Sequence, residues 1–378
     1  SPRYVEDRGQ QRPASWAEFA HIFNVTPGSD LMLLHPNGSE ELLVAGGEGA
    51  IQDPYVSFDG EWVYYTRFHE ATGGPNRAGA DIYKIHVPTR KVVRLTEQVF
   101  SANRPGMEQR YGVYNMHPCP VPGGKVAFVS SRNGFLPPPK SYPQVALQLH
   151  TMDDDGRNLE TIGHMNLAGA LHPVILKDGR LIFSSLENMG LRHYILWGIW
   201  SIHPDGTNWG PLVSALHGHS SPSSWHFQTQ LSDENIVVEL YYNQNQKGFG
   251  SLFKLPPTVP YGESAFGPGN TADARNPGWN FLGSNGMGFR IPFTPFGMEA
   301  ITPWIRTNDF PAWPSVASDP ESPRIGKVTH PCGAPDNHLL LAWTLGPIGG
   351  SAGAVRRFMG PQPIDSGIYL VKNGPLTD

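Results

Sequence analysis

Five similar segments of this sequence each begin with a residue that can bind a metal ion, and in four of them a proline follows directly. These first residues, here called the column, are Asp53, His117, His172, His226 and His330. Neutral imidazole is a common metal ligand, and carboxylates bind divalent ions as well. If the five segments are copies of one structural unit, the column predicts a site for Zn, Mn, Fe or Ca.

The same pattern also has a purely structural interpretation. A residue before proline is pushed towards extended geometry, so a His-Pro pair could mark only the bend at which a strand begins. The imidazoles could also cap backbone carbonyls between units. Because a symmetric fold repeats structural residues as readily as functional ones, the sequence leaves both interpretations open.

The only two cysteines, Cys119 and Cys332, directly follow His-Pro pairs of the column. In a ring of six units they belong to opposite units, whereas a disulfide needs Cα atoms within about 7 Å. We therefore interpret both as small buried side chains, with metal ligation by a joint Cys and His set as the alternative. No Cys-x-x-Cys-His motif is present, so haem cannot attach to this stretch by that route.

The elements that position these residues are predicted to be strands. Charged residues make up 16% of the chain, and 43 glycines and 37 prolines accompany 39% hydrophobic residues. Low charge, many turn formers and many aromatic residues indicate an all-β protein. The net charge of −5 argues against a nucleic-acid partner, and no apolar run is long enough for a transmembrane helix. A start at Ser1 without Met suggests a processed, periplasmic or otherwise exported protein.

Internal repetition organises the whole chain. Segments such as "DPYVSFDGEWVYYTR" and "HPVILKDGRLIFSSL" predict two strands around a turn, and "DIYKIHVPT" or "IWSIHPDG" adds the next strand. Four antiparallel strands per unit make the blade of a β-propeller. We expect one six-bladed domain over residues 1–378. Five blades start near 53, 117, 172, 226 and 330, and the sixth is the closing blade, whose outer strands lie within residues 30–47. A Pro/Gly-rich insertion should fill 257–328, and ring closure should need sequence beyond Asp378.

Two groups of known propellers share these patterns. The unit "DPYVSFDGEWVYYT…DIYKIHVPTRKVVRLT" resembles the TolB/PD40 (WD40-like) repeat. The variants "MHPCPVPGGKVAFVSSRNG" and "THPCGAPDNHLLLAW", together with the long insertion, are similar to the N-terminal six-bladed propeller of the hydrazine synthase alpha subunit and its homologues. This resemblance extends from about residue 17 to residue 374.

The resemblance implies two functions, of which we favour the first and keep the second as the alternative. In the first, the propeller is a scaffold and docking platform in an exported, hydrazine synthase-like redox complex, where partner domains or c-type cytochrome subunits carry the haem. In the second, it is a metal-dependent enzyme or ligand-binding propeller of the TolB-like lyase type, with histidines around the mouth of the channel. The sequence does not decide whether this chain is itself an enzyme, because fold alone does not settle function.

Overall fold

The computed structural model describes residues 25, 27–71, 78–109, 111–135, 146–163, 169–186, 197–213, 224–241, 249–262, 296–302, 326–344 and 366–372. Within these ranges the protein is all-β apart from the short 3₁₀ turn Pro335–Asn337. The strands form antiparallel blades, and the predicted β-propeller class is confirmed. None of the helical structure in these ranges is long and apolar enough to cross a membrane.

The chain divides into two compact units. The described residues up to Leu181, together with Ile202–Trp209, belong to the first unit, and the other described residues belong to the second. The single domain over 1–378, the sixth blade and the ring closure therefore stay predictions.

The first unit contains two complete blades. The strands of this unit are β1 (Leu31–Leu34), β2 (Glu40–Val44), β3 (Ala50–Val56), β4 (Trp62–Phe68), β5 (Ala80–His86), β6 (Lys91–Arg94), β7 (Asn115–Val121), β8 (Lys125–Ser130), β9 (Gln148–Asp153), β10 (Glu160–Thr161) and β11 (Ala170–Ile175). The first blade has the order β3-β4-β5-β6, and the second has the order β7-β8-β9-β10. Both blades follow the meander that the repeat predicts.

The second unit continues the same pattern. Its strands are β12 (Leu181–Leu186), β13 (Trp197–Ile202), β14 (Gly210–Val213), β15 (Ser224–Gln230), β16 (Ile236–Tyr241), β17 (Ser251–Leu255), β18 (Glu299–Ala300), β19 (Lys327–Ala334), β20 (His338–Thr344) and β21 (Gly367–Val371). The fourth blade has the order β15-β16-β17-β18, and the described part of the fifth has the order β19-β20-β21. Most of the predicted insertion over 257–328 lies outside the described residues.

The strand pair β1-β2 forms a two-stranded sheet next to the first blade, and its assignment to a closing blade stays a prediction. Ser29, just before β1, forms a parallel bridge with Ala50 at the start of β3. Ala80 at the start of β5 bridges Tyr114 in the same way, and β5 is the third strand of its blade. The strand β1 is therefore also a third strand, and β2 is a fourth.

Apolar residues on alternating positions join neighbouring sheets within each unit. In the first unit Leu31 packs with Ile51, Tyr65 and Ile85, which ties β1 to the first blade. In the second unit Val237, Leu252, Val328, Leu339 and Leu341 form one cluster between the fourth and fifth blades. Ile51 on β3 and Val328 on β19 belong to these clusters, so first strands that carry the column are packed into the core.

Candidate functional site

A β-bulge interrupts the first strand of a blade at the column. The register of the first strand shifts between Gln52 and Tyr55 in blade one and between Met116 and Cys119 in blade two. At the same point the backbone enters the left-handed region, with φ of 52° at Asp53 and 53° at both His117 and His172. The proposed strand-start bend is thus real, but its geometry is left-handed, and the expected extended conformation before proline is wrong.

In blade four the left-handed residue is Phe227, with φ of 52°. His226, which the sequence placed in the column, stands one residue earlier and is fully buried against the rings of Trp197 and Phe227. The turn after the bulge gives a spacing that would have identified Phe227, and not His226, as the bulge residue of blade four. A second positive-φ residue lies seven positions after the first in each blade, for example Gly60 after Asp53 and Glu234 after Phe227.

The left-handed backbone explains part of the residue choice. Asp, Asn and His tolerate this region better than other non-glycine residues, so an Asp and three His at equivalent bulges need no shared chemistry. Phe227 is the exception, because a bulky residue rarely adopts this conformation. Its ring lies against that of His330, with 3.8 Å between the centroids.

Three column residues of the first unit nevertheless converge. Asp53, His117 and His172 come from three consecutive blades, and each offers a ligand atom within 4.8 Å of the others. The Nε2 atom of His117 is 3.4 Å from Oδ2 of Asp53, and the rings of His117 and His172 are 4.3 Å apart. We call these three residues the His/Asp group.

Hydrogen bonds between blades fix the His/Asp group. The hydroxyl of Thr66 on β4 donates to Oδ2 of Asp53 at 2.9 Å and accepts the backbone N–H of His117 at 3.1 Å. The backbone N–H of His172 donates to Nδ1 of His117 at 3.2 Å. The bulges at His117 and His172 are thereby linked to the preceding blade, whereas Asp53 is held within its own blade.

The imidazole of His117 is neutral. It is buried, and burial lowers its pKa more strongly than the nearby Asp53 carboxylate raises it. Because Nδ1 accepts a hydrogen bond, the single proton of the ring lies on Nε2 and faces Asp53. A metal ion that binds Nε2 must displace this proton. Otherwise the ring must flip, so that Nδ1 faces the ion.

One distance within the group, that between Nε2 of His117 and Oδ2 of Asp53, suits a small divalent ion. Zinc ligands at about 2.1 Å in a tetrahedral site are roughly 3.4 Å from one another, as Asp53 and His117 already are. Asp53 and His172 are only partly buried, so an ion has a path to the site. One carboxylate and two imidazoles are a ligand set that accepts Zn, Mn or Fe.

The structure does not bring the other predicted ligands into the His/Asp group. Cys119 is buried and carries a free thiol, and burial raises its pKa to about 12. Cys332 is also free but exposed, so its predicted burial is wrong. His226 is buried in the second unit, and His330 is exposed there. None of these four residues is among the ligands that we propose below.

The sequence reasoning missed two residues next to the column, Thr66 and Glu239. They occupy equivalent places, because Thr66 pairs with Gln52, just before Asp53, and Glu239 pairs with His226, just before Phe227. The signal for Glu239 was a single acidic residue within the otherwise apolar strand "IVVELYY".

Known proteins resemble this chain in structure only. No protein-family model and no curated protein sequence matches it. Hydrazine synthase from Kuenenia stuttgartiensis is 15% identical with a TM-score of 0.49, and the alignment covers 89% of this chain and 38% of that chain. TolB from Acinetobacter baumannii is 13% identical with a TM-score of 0.42, with 84% and 58% covered. An oligogalacturonate lyase in complex with manganese is 13% identical with a TM-score of 0.38, with 60% and 56% covered.

Proposed function

We propose that the His/Asp group binds a divalent metal ion, which makes the protein a metal-dependent enzyme or ligand-binding propeller. One observation carries the proposal, the convergence of Asp53, His117 and His172 from three blades to within 4.8 Å. A bound Zn, Mn or Fe ion would act there as a Lewis acid for an oxygen-containing ligand. The chain itself supplies the negative charge of Asp53 and the rigid link through Thr66.

Metal analysis of the purified protein tests the proposal. We expect one divalent ion per chain, and we expect an Asp53→Asn/His172→Ala double variant to lose at least about 100-fold in affinity, since even outer-shell changes cost 10–100-fold. His330→Ala is the matched control, because His330 shares the left-handed backbone but lies outside the His/Asp group. Equal metal content in the double variant and the wild type would rule the site out.

Proton release gives an independent measurement. Because Nε2 of His117 carries the proton, an ion that binds to it must release about one proton into the buffer. Calorimetric titration in two buffers of different ionisation enthalpy measures this number. Binding without proton release would mean that His117 only positions the two other residues.

A scaffold role is the second candidate, favoured by the strand β21. Ile368, Tyr369 and Leu370 are consecutive and are 75%, 47% and 51% exposed. Consecutive exposed apolar residues on an outer strand are typical of interaction surfaces. The partners expected from the sequence, which are subunits of an exported redox complex such as c-type cytochromes, stay a prediction. An Ile368→Asp/Leu370→Asp variant should lose a partner that co-purifies with the wild type; retention of that partner would refute this role for β21.

A further inference from the structure

A glutamate lies fully buried in the second unit, outside the His/Asp group. Glu239 on β16 is 0% exposed. A charged carboxylate in such a place is costly unless it is paired and fully hydrogen-bonded. The neighbours of Glu239 therefore decide in which protonation state it is stable.

The hydrogen bonds of Glu239 are incomplete. Its Oε2 atom accepts the backbone N–H of His330 at 3.3 Å, and the side chain of Thr329 forms a second hydrogen bond with the carboxyl group. The Oε1 atom is buried and has no hydrogen-bond partner among the described residues. An ionised carboxylate has about four acceptor sites to satisfy, whereas a protonated acid has fewer.

The charged and titratable groups around Glu239 come from three strands. His226 lies directly across on β15, and the fully buried Lys327 precedes Thr329 by two residues on β19. Lys254 on β17 is already paired with Glu299 at 3.1 Å. Burial raises the pKa of Glu239 well above its usual value, although the hydrogen bonds from Thr329 and His330 and the charge of Lys327 act against this.

In blade one the position equivalent to Glu239 is occupied by Thr66. Thr66, at the equivalent place, accepts the backbone N–H of the next left-handed residue, His117, through a neutral hydroxyl. Glu239 accepts the N–H of His330 in the same manner. A neutral carboxylic acid can take over the role of the threonine without a buried charge.

We propose that Glu239 is protonated in the native protein at neutral pH, and that its ionisation at higher pH loosens the contact between β16 and β19. The proton is released to solvent and leaves a carboxylate whose Oε1 atom needs water. The fifth blade is thereby coupled to pH through the bulge at His330. This inference is independent of the metal proposal, since it concerns other residues in the other unit.

Infrared spectroscopy tests the protonation state directly. We expect the wild type at pH 7 to show a protonated carboxyl band that is absent from Glu239→Gln. Glu234→Gln is the matched control, because Glu234 is exposed in the turn between β15 and β16, and it should leave the band unchanged. A wild-type spectrum without a protonated carboxyl band at pH 7 would overturn the proposal, even if Glu239→Gln did not fold.

Hydrogen exchange of β19 tests the coupling. Above the pKa of the unfolded-state glutamate and up to that of native Glu239, the native state binds more protons, so stability falls as pH rises. The opening constant of β19 should therefore increase by up to about tenfold per pH unit relative to that of Glu239→Gln, after correction for intrinsic exchange. If β19 showed the same pH dependence in Glu239→Gln, the coupling would be excluded.

Discussion

Asp81 is the most heavily hydrogen-bonded carboxylate that the structure describes, and its replacement by asparagine gives a sharp test of the fold. It is the second residue of β5 and is 0% exposed. Its two oxygens accept hydrogen bonds from five side chains: Thr96 at 2.7 Å, Asn115 at 2.9 Å, His69 at 2.7 Å, Arg94 at 2.7 Å and Gln98 at 3.1 Å. These donors join blade one to the first strand of blade two.

The loss can be worked from this geometry. Asparagine keeps one oxygen, so its NH₂ group must face either the two donors at Oδ1 or the three donors at Oδ2. At least two hydrogen bonds to a charged acceptor are lost, each worth about 1.5–3 kcal/mol. Arg94 is 42% exposed on its side chain, so its share is at the low end. We therefore expect Asp81→Asn to reduce the free energy of unfolding by about 3 kcal/mol.

The pH dependence has a definite sign. Burial alone would raise the pKa of Asp81, but the hydrogen bonds from His69, Thr96, Gln98 and Asn115 outweigh it, so the pKa lies below its usual value. A lowered native pKa gives stability that is present above the unfolded-state pKa of about 3.9 and is lost as the pH falls through the native pKa. The difference in stability between the wild type and Asp81→Asn should therefore begin to shrink below about pH 4 and should keep shrinking as the pH falls towards the native pKa.

Urea unfolding, followed by tryptophan fluorescence, measures the difference, and hydrogen exchange of β4 and β5 localises it. Asp178→Asn is the control, because Asp178 lies in an exposed turn with Arg180 and should change stability by less than about 0.5 kcal/mol. A loss below about 1 kcal/mol for Asp81→Asn at pH 7 would refute the reasoning. The same conclusion would follow if the variant stayed less stable than the wild type by an equal amount at pH 3.

Three further predictions each rest on a single local feature. In the folded protein Cys332 should react with a thiol reagent at pH 8 and Cys119 should not, as peptide mass mapping would show; equal labelling would contradict the burial of Cys119. Lys84 and Asp154, 2.6 Å apart, should show a coupling of about 1 kcal/mol in a Lys84→Met/Asp154→Asn double-mutant cycle, and additive losses would contradict their pairing. Thr66→Val should weaken metal binding about tenfold, measured by calorimetry; unchanged affinity would remove Thr66 from the support of the site.

The blades themselves could be predicted because their signals are local. Strand alternation and the turn that follows it recur within each unit, so the positions of β3, β7, β11, β15 and β19 follow from the sequence. The two short strands within 30–47 follow from the same count. The division of the chain into two compact units depends on tertiary contacts between segments that are distant in sequence. Local sequence patterns do not reveal such contacts.

The alignment that defined the column was only partly correct because it matched residues by type. In four blades the residue before proline is left-handed, but blade four has Phe227 followed by Gln228. His226 was therefore matched to the column by its chemistry, although the bulge lies one residue later. Since side chains alternate along a strand, a slip of one residue moves a side chain to the other face, which is why His226 packs against Trp197.

The differences among the bulges of the five blades are more informative about chemistry than the residues that they share. In four of the five blades the left-handed bulge residue is Asp or His, so the repetition of these residues is explained first by the backbone conformation. What distinguishes the His/Asp group is convergence, since the bulge residues of the second unit, Phe227 and His330, stack their rings instead. Glu239 on β16 accepts the backbone N–H of His330, and it is buried, whereas Asp53 is partly exposed. The same bulge geometry thus carries the proposed metal site in one unit and the buried carboxyl group of Glu239 in the other. If both proposals hold, exchange of Thr66 and Glu239 between the two places should abolish metal binding and the pH response.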